Sequence, residues 1–406
     1  MDADSATSRR RGSNQTGVRL FNDQIVIQTI RAQGPTPQSV LASQTHLSVQ
    51  TMALIIERLE SEGLLMRLEP VRGKVGAPSI PVALNPDGAF FIGVSIGRRR
   101  LDALLMDFTG VIRERWSAAH RYPDPDVLFA EVEEALKALR QLIKPKLRSR
   151  LRGVGVAAPL SFGGWGELLG FPPRLAQKWE GLSISDSVSQ LPSAHGLSVH
   201  AVKDTSAACV AELIVGNGRQ IDTFLYVFID VFIGGGLVIN GQLRLGTNGN
   251  AGALGSLALG TGKSPASLPA QLLSIASLRS LEARYVDAGL ASDAWMDHRA
   301  MSDGWRPHTQ KWLREVAPGI SMAVHSAACI IDLPCVIIDG TMGRGLAQAL
   351  VESVQHHLAL YPWEGVSQPN IGIGSVGPEA RAIGAALLPL YKTTAPDNAL
   401  FMKPMA

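Results

Sequence analysis

The feature that most restricts the fold is a pattern that occurs twice. Phe90-Phe91-Ile92-Gly93-Val94-Ser95 is an apolar run of strand length, Leu101 to Met106 is a second, and the turn Asp107-Phe108-Thr109-Gly110 leads into a third at Val111 to Trp116. Asp124 is placed to cap, and Pro125 to open, a helix whose Leu128, Val132, Leu136, Leu139 and Ile143 share one face. Strands at Gly153 to Ala157 and Leu197 to Val202 follow. The order then recurs: strands at Thr223 to Ile229, Gly234 to Ile239 and Gln242 to Leu245, with Asn240-Gly241 as a hairpin turn, then helices including Gln310 to Cys329, then the strand Cys335 to Ile338. The expectation is an α/β protein with two lobes facing one another across a cleft. A chain of 406 residues has room for both lobes and a further small domain.

That further domain reads from Thr36 to Asn85. Thr36 as N-cap and Pro37 as first helical residue start a short helix through Val40, Leu41 and Ala42, and a turn follows at Thr45, His46 and Leu47. Ser48 caps a second helix in which Met52, Ile55, Ile56 and Leu59 form a buried stripe, leaving Val49, Gln50, Thr51 and Ala53 on another face. Helix, tight turn and second capped helix is the order of a helix-turn-helix, whose second helix meets base edges in the major groove. Gln50 is the expected base reader, because a side-chain amide pairs bidentately with adenine, and Ser48, Val49 and Thr51 are candidate contacts beside it. Gly63 closes the helix, and strands at Leu64 to Leu68 and Ile80 to Leu84 flank the basic loop Arg72-Gly73-Lys74-Val75-Gly76-Ala77-Pro78. Arg72 and Lys74 are the candidate DNA contacts of this wing, and Ile27 and Ile30 give a preceding helix its buried side. The module reads as a winged helix-turn-helix for double-stranded DNA; the alternative is a small helical cap on the larger domain.

Composition excludes other classes. Hydrophobic residues make up 46% of the chain, too many for a disordered protein. There is no run of about 18 uninterrupted apolar residues, and the start, Met1 to Gln15, is polar and basic rather than a signal peptide, so a cytoplasmic protein without a membrane part is expected. Cys209, Cys329 and Cys335 offer neither a disulfide framework nor a zinc cluster. The net charge of +3 does not decide for or against nucleic acid. Arg9, Arg10 and Arg11 either follow phosphates or are simply solvated. The expected domains are a flexible basic tail over 1–19, the winged module over 20–86, lobe 1 over 87–215 and lobe 2 over 216–406, with the option that the C-terminal segment returns to lobe 1.

On these residues the sequence resembles the ROK family of bacterial sugar kinases and transcriptional regulators of the NagC and XylR type, and the resemblance covers nearly the whole chain. Leu84-Asn85-Pro86 matches the end of the regulators' wing. Leu245-Gly246-Thr247-Asn248-Gly249-Asn250-Ala251-Gly252 is similar to the family's Gly-x-x-Gly-x-Ala-Gly segment. Asp204-Thr205-Ser206-Ala207-Ala208-Cys209-Val210-Ala211-Glu212 resembles its Asp-x-Asn-Ala-Ala-x-x-x-Glu helix start, and Gly374-Ser375-Val376-Gly377-Pro378-Glu379-Ala380 with Gly384-Ala385-Ala386 resembles its C-terminal signature. The resemblance implies an actin-like two-lobed domain behind a winged helix-turn-helix.

It also implies what has been lost. Where the family's kinases carry Asp-Ile-Gly-Gly-Thr-Lys as a phosphate loop, this chain has Ser95-Ile96-Gly97-Arg98-Arg99-Arg100, which crowds a nucleotide cradle, so no kinase activity and no catalytic residue is expected. Arg98 to Arg100 either bind something or form a charged strand edge or turn. Gly234-Gly235-Gly236 reads as close strand packing or a tight turn rather than a nucleotide motif. Of the family's Asn-Asp general-base pair only Asp204 is retained, with Lys203 in place of the Asn, and the family's Glu and zinc-ligand His are absent from Ala251-Gly252-Ala253-Leu254-Gly255-Ser256. No cysteine stands near Ser264 to Gln271, so no metal and no cofactor are expected.

The candidate effector residues are Lys203, Asp204, Asn248 and Asn250. Lys203 in place of an amide suggests an anionic effector such as a sugar acid; the alternative is that it neutralises Asp204 or points to solvent. The expected protein is a repressor, a homodimer or homotetramer, that binds a double-stranded operator and answers to a sugar or sugar derivative. The alternatives are a sugar kinase with an appended DNA-binding domain, or a regulator governed by a protein partner.

Overall fold

The structure, a computed structural model, describes residues 15–70, 79–120, 122–160, 162, 172–260 and 269–394. The N-terminal head contains helices α1 (Gln15–Gln33), α2 (Gln38–Thr45) and α3 (Val49–Ser61) with a small antiparallel sheet. The strands are β1 (Thr36–Pro37), β2 (Leu65–Arg67) and β3 (Pro81–Leu84), in the order β1-β3-β2. Helix α1 therefore begins inside the stretch expected as a tail.

Thr36 and Pro37 are strand residues, paired with Val82 and Pro81, and not the N-cap and first residue of α2. Pro37 is extended (ψ 147°) and itself occupies the cap position, while the Thr36 hydroxyl turns back to donate to the Gly34 carbonyl at 2.9 Å. His46 ends α2 with a left-handed φ of 54°, and Gly63 follows α3 with φ 75°, both as the turn signals imply. The wing residues Arg72 and Lys74 lie outside the described residues, as do Arg9 to Arg11 and 264–268.

Behind the head stand two five-stranded sheets of the same design. In lobe 1, β4 (Phe90–Ile96), β5 (Arg100–Asp107) and β6 (Ile112–Ala119) form an antiparallel meander, and β7 (Leu151–Ala158) and β8 (Ser198–Lys203) add in parallel, giving the order β6-β5-β4-β7-β8. In lobe 2, β9 (Phe224–Ile229), β10 (Ile233–Ile239) and β11 (Gln242–Arg244) form the meander. After a two-residue pair, β12 (Ala258–Leu259) with β13 (Ala270–Gln271), the strands β14 (Cys335–Gly340) and β15 (Asn370–Ile373) join in parallel, and the order β11-β10-β9-β14-β15 repeats that of lobe 1. Asn240 and Gly241 both have positive φ, 54° and 67°, as a type I′ hairpin requires.

The longer helices cover these sheets. Helix α4 (Pro125–Leu142) opens under the Asp124 cap, whose carboxylate accepts the Asp126 amide at 3.2 Å, and it buries Leu128, Val132, Leu136 and Leu139 against lobe 1. Helix α5 (Asp204–Val215) lies between the lobes, and α6 (Leu278–Asp287), α7 (Arg306–Ile331) and α8 (Arg344–Leu358) belong to lobe 2. Helix α9 (Ala380–Thr394) returns to pack on β4, β7 and α5. Gly384 makes that crossing possible, since a Cβ there would sit 1.7 Å from the Ala207 carbonyl oxygen.

The head is not a loosely tethered bead. One hydrophobic core runs from Val26, Ile27 and Ile30 of α1 through Leu84, Phe91 and Met106 to Leu387 and Leu390 of α9. Two arginines seal the seam. Arg31 of α1 donates to the Phe108 carbonyl at 2.7 Å and lies 5.1 Å from the centre of the Phe108 ring, and burial draws its pKa down to about 10. Arg150 of lobe 1 donates to the Asp87 carbonyl at 2.8 Å, where the wing ends.

Candidate functional site

Two sites face outward from this frame: the third helix of the head, and the cleft between the lobes. At the head, Ser48 caps α3 by accepting the Thr51 amide at 3.1 Å, and the two hydroxyls share a further bond at 2.9 Å. Met52, Ile55, Ile56 and Leu59 are buried as their spacing requires. Ser48, Val49 and Gln50 are exposed and Thr51 is half-buried, its hydroxyl engaged with the cap. The accessible face continues to Leu54 and Glu57, both exposed, which the helix-turn-helix pattern alone did not single out. Glu57 makes the far part of this face acidic, while its first turn and a half, beside the helix N-terminus, carries no carboxylate.

In the cleft, Lys203 ends β8 and Asp204 begins α5, and both are buried. They line a cavity of about 230 Å³ together with Arg98, Leu160, Phe232, Asn250 and Ser256. Asn250 is thus in the wall, whereas Asn248 is exposed and outside it. Lys203 does not point to solvent: its Nζ donates to the Ala251 carbonyl at 2.7 Å, and burial pulls its pKa down to about 8 against the pull of Asp204. The Asp204 carboxylate accepts the Thr205 amide at 2.8 Å, and the Thr205 hydroxyl donates to the Gly235 carbonyl at 2.9 Å. The glycine run there serves packing, since a Cβ at Gly236 would lie 2.5 Å from the Cys209 Cβ.

The three arginines after β4 separate into different roles. Arg98 stacks on the Phe232 ring of lobe 2, 4.7 Å from its centre; Arg99 reaches both oxygens of Glu282 in α6, at 2.9 and 2.8 Å; Arg100 pairs with Asp102 at 2.5 Å. Burial lowers the Arg98 pKa, with Arg381 adding repulsion and Asp204 and Asp230 opposing it. A second cavity of about 420 Å³ lies on the other side of Arg98, lined by Ser95, Arg99, Arg100, Asp230, Thr341 and Arg381. There Arg381, from the start of α9, pairs with Asp230 of lobe 2 at 2.6 Å, and the Thr341 hydroxyl donates to the same carboxylate at 2.8 Å. Burial works to raise the Asp230 pKa, but these partners hold it below the usual value.

A family model described as "ROK family" matches residues 91–391. The chain belongs to the ROK family. Among curated relatives, the uncharacterised protein y4fQ of Sinorhizobium fredii is 23% identical over 377 residues, 92% of this chain and 91% of its own. The xylose repressor of Bacillus subtilis is 20% identical over 61% of this chain and 62% of its own length, so the chain spans about three-fifths of that repressor. Among solved structures, a ROK family transcriptional regulator, a homologue of the Escherichia coli Mlc protein, superposes with a TM-score of 0.67 over 93% of this chain and 98% of its own, at 20% identity. A ROK family glucokinase from Streptomyces griseus, in complex with glucose and AMPPNP, gives 0.55 over 74% of this chain and 99% of its own, at 19% identity. These likenesses establish the actin-like two-lobed fold.

Within that fold the ROK-like motifs have visible roles. Glu212, at the end of the α5 motif, is buried and accepts backbone amides from Asn217 at 2.8 Å, Ser375 at 3.1 Å and Val376 at 3.2 Å, so it joins α5 to the C-terminal signature. Asp339 accepts the Gly377 amide at 2.9 Å from the other side of that loop. The residues that sequence reasoning missed in the cleft are Asp230, Phe232, Glu282 and Arg381. Arg381 had a signal, since it directly follows the Gly-Pro-Glu-Ala signature, and Asp230 occupies the turn of the second meander that corresponds to Gly97–Arg99 in the first.

Proposed function

We propose that this ROK protein is a cytoplasmic, DNA-binding transcriptional regulator, most simply a repressor, that acts as a homo-oligomer and answers to a small carbohydrate-like molecule in the interlobe cleft. The observation that carries the reading is the exposed, capped start of α3, with Val49 and Gln50 outward, on a head whose core is continuous with lobe 1 and α9. A change in lobe position would therefore reach the head through packed side chains, and a ligand that prefers one lobe arrangement would shift it. The kinship with a xylose repressor and an Mlc homologue supports regulation, and a symmetric oligomer would place two heads on two half-sites about one helical turn, or a multiple of it, apart. ROK kinases are relatives too. Against phosphoryl transfer in this chain stand Arg98, Arg99 and Arg100 at the turn where the kinases' phosphate loop runs, two of them engaged with lobe 2.

The test is a fluorescence-anisotropy titration of the full chain against its own upstream DNA at two salt concentrations. Specific binding that weakens with salt is expected, and Gln50→Ala should lose about 1–3 kcal/mol of discrimination at the base pair it reads. Equal affinity for unrelated DNA in both proteins would overturn the regulator reading, and nucleotide-dependent turnover of any hexose would overturn its non-enzymatic part.

A further inference from the structure

Resting on the regulator reading, and naming the ligand of its cleft, we propose that the cavity takes a monosaccharide bearing one negative charge, its hydroxyls toward Asp204 and Asn250 and its anionic group on the Arg98 guanidinium. The four other arginines around the second cavity each have a carboxylate: Arg99 with Glu282 at 2.8 Å, Arg100 with Asp102 at 2.5 Å, Arg115 with Glu379 at 2.6 Å and Arg381 with Asp230 at 2.6 Å. Arg98, among the described residues, has no carboxylate within ion-pair range and lies on the face of Phe232 instead. It is also the arginine that borders both cavities.

The smaller cavity has two cationic side chains, Arg98 and Lys203, and one anionic, Asp204. Lys203 is turned to the Ala251 carbonyl, so the surplus positive charge is presented by Arg98. Arg98 is half-buried, and burial weighs against its charge more than Asp204 and Asp230 favour it, so an anion seated on the guanidinium would offset that cost. A guanidinium is well shaped for this, because its planar fork binds carboxylate or phosphate bidentately while its face rests on an aromatic ring. Size limits the rest of the molecule. At about 230 Å³ the cavity is smaller than the roughly 300–1,000 Å³ that drug-sized ligands occupy, which leaves room for a single sugar ring. Asp204 and Asn250 supply the acceptors and donors that sugar hydroxyls need.

Isothermal titration calorimetry on the full chain, with glucose, galactose, gluconate, glucuronate and glucose 6-phosphate as probes, tests this. At least one anionic probe should bind about tenfold or more tightly than the neutral hexoses, and the carboxylate and phosphate arms identify which anion is preferred. Arg98→Gln should remove that advantage, and Arg98→Lys, which keeps charge without the fork, should fall between. A neutral hexose binding as tightly as any anionic probe, an anion preference that survives in Arg98→Gln, or no binding of any probe would each overturn the proposal. Operator binding measured on the same samples separates the two readings: DNA bound without any anionic sugar sinks this inference alone, and an anionic sugar bound without DNA sinks the regulator reading alone.

Discussion

The two lobes share a strand order yet face the cleft with opposite chemistry. The turn between β4 and β5 closes with the Gly97 amide on the Arg100 carbonyl at 2.8 Å and carries Arg98 and Arg99; its counterpart between β9 and β10 closes with the Asp230 amide on the Phe232 carbonyl at 3.1 Å and carries an acid and an aromatic ring. The contacts that these turns and their neighbours make across the cleft run the same way. Arg98, Arg99, Lys203 and Thr205 of lobe 1 and its boundary with α5, and Arg381 of α9, meet the Phe232 face, Glu282, the Ala251 and Gly235 carbonyls and Asp230 of lobe 2. A duplicated architecture has thus been differentiated by side chains into a donor half and an acceptor half, and the cleft is held by charge as well as by packing. Strand order alone would not predict that polarity.

The largest effect should come from removing the half-buried acceptor, Asp230. Asp230→Ala leaves Arg381, with its side chain only 10% exposed, facing a cleft without its carboxylate, and a loss of about 3–5 kcal/mol is expected in urea denaturation. A loss below about 1 kcal/mol would mean that Arg381 finds solvent or another acceptor, and the polarity would then contribute little to stability. The outer pair should matter much less. Arg99 is 46% exposed, so a double-mutant cycle with Arg99→Ala and Glu282→Ala should give a coupling of only about 0.2–1 kcal/mol, decreasing as salt is added. A coupling comparable to the Asp230 loss would show that the rim, rather than the interior, holds the lobes together.

How far the sequence displays this polarity depends on the range of the interaction. The strands were legible because their signal is local: period, turn residues and caps such as Ser48 and Asp124 act within a few positions. The misreading at Thr36-Pro37 arose because a proline that can open a helix can equally be extended in a short strand, and only the distant partner Val82 decides. In the cleft, Lys203 was found because it interrupts a motif, Asp204 because it keeps one, and Arg98 to Arg100 because they replace one. Their partners were not, since Glu282 is separated from Arg99 by 183 residues and Asp230 from Arg381 by 151, and nothing in either local sequence marks the pairing. Asn248 and Asn250 lie two apart in a glycine-rich turn, and which of them faces the cavity is set by left-handed glycines at 246, 249 and 252 that pattern alone does not orient.

The donor half is reached most directly through the Lys203 charge. Its pKa lies at about 8 in the folded chain, against an ordinary 10.5, because burial penalises the ammonium more than Asp204 favours it. A native state that holds its proton less tightly than the unfolded chain binds fewer protons between those two values, so stability rises with pH across that window and is flat with respect to this group below it. Lys203→Met, which keeps the aliphatic length and removes the titration, should therefore flatten that part of the slope in denaturation series run from pH 7.5 to 9.5. The same variant leaves the Ala251 carbonyl without its donor, a cost that does not depend on pH and so shifts the whole series without changing its slope. Slope and offset thus separate what the cation costs from what its hydrogen bond contributes. An unchanged slope would mean that Lys203 remains hydrated in the closed cleft, and the donor half would then owe its character to the arginines alone.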